Sequence, residues 1–157
     1  MILSLFLLMG CKSEDPIKEP IFDPYDVQIG PYETNIQWTD YGIPHIVGQD
    51  YGSLGYGMGY ALAKDHYCVL IDQIVRIRGE RSKYHGESHL DADFGWKAYN
   101  LVQMSEDNFH KLNNDIQHML IGYTAGYNRF RKDNPEDIPS DCKDKSWIRD
   151  INHIDLM

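Results

Sequence analysis

A glycine-rich start followed by a long amphipathic pattern, over residues 51–93, constrains the fold of this chain more than any other feature. Four glycines open it: Gly52, Gly55, Gly57 and Gly59. Apolar residues then recur in alternating steps of three and four, at Tyr60, Ala63, Tyr67, Leu70, Ile74 and Ile77. This spacing predicts a helix with one face towards a core. The glycines predict that another backbone approaches closely, because no side chain blocks it.

A strand-like segment precedes the helical pattern. Ile36 and Trp38 alternate with polar residues, and a turn-forming run follows at residues 40–42. Beyond the turn, a second segment carries Ile43, His45 and Val47. We predict a strand pair, with His45 making a hydrogen bond in the core.

Further helical segments follow towards the C-terminus. Residues 90–104 carry apolar residues at helical spacing: Phe94, Ala98, Leu101 and Val102. Ser105 is predicted to cap the next helix, which has an acidic first turn and ends before Asn134 and Pro135. The apolar face of that helix is interpreted as core, with a ligand pocket as the alternative: Phe109, Leu112, Ile116, Met119, Tyr123, Tyr127 and Phe130.

Several motifs in a fixed order resemble the penicillin acylase family. They are DYGIPHI at 40–46, GYGMGYALAKDHYCVLIDQ at 55–73, RGERSKYHG at 78–86, HLDADF at 89–94, AGYNRF at 125–130 and CKDKSWIR at 142–149. The resemblance is greatest to the branch that deacylates lipopeptides, such as aculeacin, and acyl-homoserine lactones. It runs from about residue 35 to the last residue.

The resemblance implies a fold and a chemistry. The fold class is α+β and mostly helical, the small-chain portion of an αββα N-terminal-nucleophile hydrolase, with a strand pair before long helices. Such enzymes cut themselves into a small and a large chain, and the first residue of the large chain is the nucleophilic Ser. Its α-amino group, with a pKa of roughly 8, serves as the base.

The resemblance therefore implies that this chain is the N-terminal fragment of an amidohydrolase. The expected substrate is an acyl amide, such as a β-lactam side chain, a lipopeptide or an acyl-homoserine lactone. The expected partner is a large chain that carries the nucleophile, so the chain alone is predicted to be inactive. The alternatives are a non-catalytic surface lipoprotein that acts as a binding module, and a degenerate fragment.

No catalytic residue is assigned within the chain. Ser53 follows Gly52 and would become an N-terminal nucleophile if cleavage occurred before it, but that cleavage would discard the preceding strands. The other interpretation is that Ser53 caps or enters the helix. The seven histidines and many aspartates do not identify a triad, since triads are defined by geometry.

No metal or other cofactor is assigned either. His85, His89, Asp91 and Asp93 are ligand types, and two histidines four residues apart suit one face of a helix. Gly86 lies between them, however, and indicates a loop in which that spacing has no meaning.

The net charge of −9 argues against binding to nucleic acid, because phosphate backbones require clusters of Lys and Arg. The most basic stretch, residues 76–83, is interleaved with Glu80. We expect its charges to be solvated or paired internally.

The N-terminus predicts export. Residues 1–11 resemble a bacterial lipoprotein signal, in which an apolar stretch ends at a lipidated Cys11. The alternative is a buried N-terminal strand. Residues 12–26 are acidic and contain Pro16, Pro20 and Pro24, which is typical of a semi-stiff tether. Residues 27–157 are then a partial acylase-like domain, and we expect the protein to be membrane-anchored through lipid, in the periplasm or at the cell surface.

The cysteine count agrees with export. If Cys11 carries lipid, Cys68 and Cys142 remain as an even pair in a compartment that allows disulfides. We predict a bridge between them, with two separate buried thiols as the alternative.

Overall fold

The computed structural model describes residues 31–157, so the predicted signal and tether lie outside the described residues. The regular elements in chain order are β1 Thr34–Trp38, β2 Pro44–Gly48, α1 Tyr51–Ile77, α2 Arg81–His85, α3 Leu90–Tyr99, α4 Leu101–Asn108 and α5 Asn114–Asp133. Short 3-10 turns lie at Glu87–His89, Phe109–Lys111, Pro135–Asp137 and His153–Leu156. The predicted class, mostly helical after an N-terminal strand pair, is confirmed.

The two strands form an antiparallel pair that covers the start of α1. Ile36 lies opposite Ile46, and this face packs on the helix, where a Cβ at Gly57 would lie 2.5 Å from the Ile46 side chain. The prediction that His45 lies in the core is wrong. Because side chains alternate along a strand, the inward position of Ile46 sends His45 and Val47 outwards, and Val47 is 70% exposed.

Helix α1 begins at an Asp cap and extends across all four glycines. The Asp50 carboxylate accepts a hydrogen bond from the Ser53 N–H at 2.7 Å. This backbone hydrogen bond holds the pKa of Asp50 below its ordinary value. At His66 the backbone leaves helical geometry, with φ −139° and ψ 35°, so α1 consists of two helical segments joined at a break.

The glycines allow α1 and α5 to touch backbone to backbone. A Cβ on any of four glycines would lie between 1.9 and 2.1 Å from a carbonyl oxygen of the other helix: Gly55, Gly59, Gly122 and Gly126. Gly122 meets Gly52, and four residues later Gly126 meets Tyr56, so the two helices run parallel. The close approach predicted from the sequence is confirmed.

The main core lies between the second half of α1, α5 and the residues that follow α5. Tyr67 and Tyr127 stack there with ring centroids 4.8 Å apart, and the Tyr127 hydroxyl donates to the Tyr67 carbonyl. A smaller cluster surrounds Phe109, Ile121 and Ile154. The predicted apolar faces of α1 and α5 thus supply most of the core. Ile77 of the α1 face and Ile116 of the α5 face are exposed, which differs from the prediction, and Tyr123 is only partly buried.

Helix boundaries differ from the prediction in the middle of the chain. Ser105 does not cap a helix, because it lies inside α4 and its hydroxyl donates to the Leu101 carbonyl at 2.9 Å. The cap of α5 is Asn113, whose side chain accepts from the Asp115 N–H. The predicted segment 90–104 is split at Asn100, which adopts a left-handed conformation with φ 53°.

Candidate functional site

Ser53 is fully buried in the first turn of α1, between the helix and the hairpin. Its hydroxyl oxygen accepts a hydrogen bond from the Glu33 N–H at 2.9 Å, and its N–H donates to Asp50. The hydroxyl of Ser53 therefore joins the segment before β1 to the start of α1, and its N–H takes part in the helix cap.

The residues considered as metal ligands are spread over α2, α3 and the turn between them, rather than lying in a loop. The imidazole Nε2 of His85 lies 3.7 Å from an oxygen of Asp72, and its ring is 6.1 Å from that of His89. Asp91 is exposed, and Asp93 turns into the protein. Within residues 31–157, no three such residues come together as a metal would require.

Asp93 caps helix α2 instead. Its carboxylate accepts from the Ser82 N–H at 2.6 Å and from the Arg81 N–H at 3.1 Å, and the residue is only 3% exposed. Burial raises the pKa of the Asp93 carboxyl, but the hydrogen bonds from Ser82 and Arg81 outweigh it and leave that pKa below its usual range. The carboxylate is thus held in its charged form.

Two of the four cations in the basic stretch form internal ion pairs, in agreement with the prediction that these charges are solvated or paired internally. Arg81 binds Asp72, and Arg78 binds Asp155, whose side chain has no exposed surface. Arg149 also contacts Asp155, at 3.3 Å. These three residues, the Asp155 cluster, fasten the end of α1 to the 3-10 turn at His153–Leu156. Local sequence patterns do not indicate the cluster, because Arg78 and Asp155 are 77 residues apart.

Cys68 and Cys142 are joined in the structure, with their Cα atoms 5.8 Å apart. Cys68 lies just after the break in α1, and Cys142 lies buried in the segment that follows α5. The bond connects that segment to the Tyr67–Tyr127 core.

An apolar cleft of about 290 Å³ lies between the hairpin and the first half of α1. Its lining residues are Pro44, Ile46, Met58, Ala61, Leu62, Asp65, His66 and Tyr123. Tyr123 is the member of the predicted α5 face that borders a cleft, and its burial raises the pKa of its hydroxyl. The alternative prediction, that the apolar face of α5 lines a ligand pocket, is therefore supported at this cleft.

Large apolar side chains are exposed over much of the described surface. The most exposed are Tyr41, Phe94, Val47, Tyr99, Val69, Ile43, Leu90 and Met104, with exposed fractions from 92% down to 54%. No helix within residues 31–157 has the length and apolar character needed to cross a bilayer.

The fold of the described residues is found in a solved structure. It matches the solved structure of a thermostable penicillin G acylase from Alcaligenes faecalis with a TM-score of 0.72 and 20% sequence identity. The match covers 81% of this chain and 69% of that chain. The predicted fold, mostly helical with a strand pair before long helices, agrees with this match.

Sequence comparison identifies the family. The penicillin amidase family model matches residues 33–144. An acyl-homoserine lactone acylase PvdQ of Pseudomonas syringae pv. tomato is 36% identical over 131 residues, which are 78% of this chain and 17% of that protein. The aculeacin-A acylase of Actinoplanes utahensis is 34% identical over 140 residues, 81% of this chain and 18% of that protein. The chain belongs to the penicillin amidase family, as its motifs predicted.

The chain spans less than a fifth of the length of these curated relatives. The matched region contains the hairpin, the glycine contact between α1 and α5, and the Asp93 cap. The described residues form a packed scaffold with several exposed apolar side chains. We assign no catalytic group among them.

Proposed function

We propose that this chain forms the N-terminal part of the small chain of an acyl-amide hydrolase, whose nucleophilic serine belongs to a large chain. The observation that carries the proposal is the match of the penicillin amidase family model to residues 33–144, which contain the hairpin and the glycine-packed pair of α1 and α5. Ser53, which follows Gly52, makes hydrogen bonds to Glu33 and Asp50 in the first turn of α1. This structural role supports a nucleophile located elsewhere.

We propose an acyl amide as the substrate, in the class of lipopeptides and acyl-homoserine lactones. The two relatives described above carry these activities in their names, and they share about a third of their matched residues with this chain. In the proposed reaction, the hydroxyl of the large-chain serine attacks the amide carbonyl while its own α-amine accepts the hydroxyl proton. The α-amine passes that proton to the leaving nitrogen as the C–N bond breaks, and water then hydrolyses the acyl-serine ester to release the acid. The role of this chain is to support the large chain and to contribute walls to the acyl site.

The test is a chimaera in which residues 33–144 replace the matching segment of the acyl-homoserine lactone acylase PvdQ from Pseudomonas syringae pv. tomato. We expect the chimaera to mature into two chains and to release homoserine lactone, measured through the amine that hydrolysis exposes. The control carries Gly59→Leu, which prevents the contact between α1 and α5. An unaltered chimaera that accumulates without maturing would count against the proposal and favour a non-catalytic binding module.

We also propose export and lipid anchoring through Cys11. Support comes from the apolar run at residues 2–9, the small residue Gly10 before the cysteine, and the acidic, Pro-containing segment that follows. Cells grown with an alkyne-labelled fatty acid should label the protein and retain it in the membrane fraction. Cys11→Ala should lose both properties, whereas Cys68→Ala should keep them; retention of label by Cys11→Ala would contradict the proposal.

A further inference from the structure

We propose that a cleft between the end of α5 and the segment after it binds a small organic carboxylate. The cleft has a volume of about 520 Å³ and is lined by residues from Arg131 to Ile148. In the proposed complex, the carboxylate lies on the basic side chains of the cleft, and the apolar body of the ligand lies on its floor. The inference goes beyond the proposed function and does not depend on it, because described residues of this chain alone line the cleft.

Basic side chains are concentrated at this cleft, although the chain as a whole has a net charge of −9. Four of the residues that line it are cationic: Arg131, Lys132, Lys143 and Lys145. Arg131 and Lys132 share one carboxylate, that of Asp150, which lies 3.6 Å from the Lys132 amine. One carboxylate cannot balance both charges, so this pair of cations can accept a further anion.

Lys145 provides a second unbalanced charge. Lys143 pairs with Glu136 at 2.7 Å, whereas the Lys145 amine makes no ion pair or hydrogen bond to any residue between 31 and 157. Asp144 is the acidic residue in the lining. Four cations therefore meet three carboxylates, and one positive charge remains for a ligand.

The floor of the cleft is apolar and held in place. Three apolar residues form it: Pro135, Ile138 and Ile148. Ile138 is only 6% exposed and belongs to the main core, against which Ile148 packs. Cys142, next to Lys143, is bonded to Cys68 of α1 and fastens the same segment. A preformed cleft with apolar walls and a few charged groups is typical of a site for a small molecule.

These features together favour a carboxylate that carries an apolar body. Arg and Lys donate strong, charge-assisted hydrogen bonds to carboxylate oxygens, and an apolar body would remove the floor from water. An extended polyanion or an anionic membrane is disfavoured, because every acidic residue between 131 and 150 is exposed and would repel it: Asp133, Glu136, Asp137, Asp141, Asp144 and Asp150. A single small anion needs only the cations of the cleft.

The test is equilibrium dialysis of the full 157-residue chain against octanoate, its neutral counterpart octanamide, and acetate. Octanoate should bind roughly tenfold or more tightly than octanamide, because only octanoate offers a negative charge to the cleft. It should exceed acetate by a similar factor of about ten, since acetate has the head without the apolar body. Octanamide also reports any binding to apolar surface elsewhere on the chain.

Lys145→Gln is the variant that tests the position of the site. It should weaken the binding of octanoate about fivefold or more, and its circular dichroism should match that of the unaltered chain, because the lysine amine holds no other side chain in place. Lys111→Gln is the matched control. It removes an exposed lysine that does not line the cleft, and its affinity for octanoate should stay within about twofold of the unaltered chain.

Three results would overturn the inference. Equal affinity for octanoate and octanamide would show that charge takes no part in binding. Equal affinity for octanoate and acetate would show that the apolar floor takes no part. Unchanged binding of octanoate by Lys145→Gln would place the carboxylate outside this cleft. None of these results bears on the proposed function, which the chimaera tests separately.

Discussion

The contact between α1 and α5 leaves no space for a side chain at Gly59. A Cβ there would lie 1.9 Å from the Tyr123 carbonyl oxygen and 3.0 Å from the Tyr127 nitrogen. Both neighbours are backbone atoms of a packed helix, so neither can rotate away. The two helices would have to move apart along a contact that also includes Gly55, Gly122 and Gly126.

We therefore expect Gly59→Ala to lower the free energy of unfolding by about 3 kcal/mol or more, because overpacking outweighs the better helix propensity of Ala. Urea denaturation followed by circular dichroism measures the change. Gly95→Ala is the matched control, and it should leave stability unchanged or raise it by up to about 1 kcal/mol. Equal stability of the two variants would show that α1 and α5 do not touch in this way.

Asp93 predicts a dependence of stability on pH. Its folded pKa lies below its ordinary value, so its carboxylate contributes stability above the unfolded pKa of about 4, and this contribution is lost as pH falls through the folded pKa. Asp93→Asn should lower the unfolding free energy by about 1–2 kcal/mol at pH 7, since the charged cap of α2 is lost.

The difference between Asp93→Asn and the unaltered chain should shrink below about pH 4, as the native carboxylate takes up its proton. Unfolding in urea at a series of pH values measures it. Asp91→Asn, two residues away and exposed, should change stability by less than about 0.5 kcal/mol throughout. A gap between Asp93→Asn and the parent that widens towards low pH would refute the assigned cap.

At the scale of elements, the sequence predicted buried faces better than helix ends. The spacing of Ala63, Tyr67 and Ile74 correctly identified the buried side of α1, because burial depends on periodicity that extends over many residues. The predicted start of α5 at Ser105 was wrong, because Ser105 and Asn113 are both residue types that cap helices and packing decides between them. The break at Asn100 was missed because its left-handed backbone leaves no clear pattern.

The segment after α5 contains little regular structure and is fastened to α1 through Cys68 and Cys142, 74 residues apart. We expect peptide mapping without reductant to recover this pair. Replacing both cysteines by Ser should lower the unfolding free energy by up to about 4–5 kcal/mol, the loop-closure value for a ring of this size. Free thiols at both positions in the exported protein would contradict the bridge and leave two separate buried cysteines.

At the scale of the whole molecule, the exposed apolar surface predicts poor behaviour of the chain in isolation. Residues 25–157 expressed alone should bind a hydrophobic dye strongly and show limited solubility, since residues such as Phe94 and Val47 are exposed. No acyl release should be detected from a chromogenic amide. A soluble monomer that does not bind the dye would refute the first expectation, and turnover by the purified chain would refute the second.

The candidate site could be predicted only in part, for a physical reason. Motifs such as DYGIPHI identified the family because they encode a hairpin and a helix that pack locally. The cleft beside Tyr123 is lined by His66, where α1 breaks, and by Ile46, which the strand register turns inwards. The spacing of apolar residues in the sequence predicts neither the break nor the register. The Asp155 cluster joins residues far apart in sequence, so it could not be read from local patterns.

The break at His66 divides α1 into two segments that make different contacts. Before it, α1 is held by glycines against α5 and by the hairpin; after it, the helix is held by Cys142, the tyrosine stack and the Asp155 cluster. Both halves nevertheless pack on α5, the first through Gly55 and Gly59 and the second through the Tyr67–Tyr127 stack. Because His66 also lines the cleft, the wall of the cleft is formed at the point where α1 departs from helical geometry, and α5 holds the two halves on either side of it.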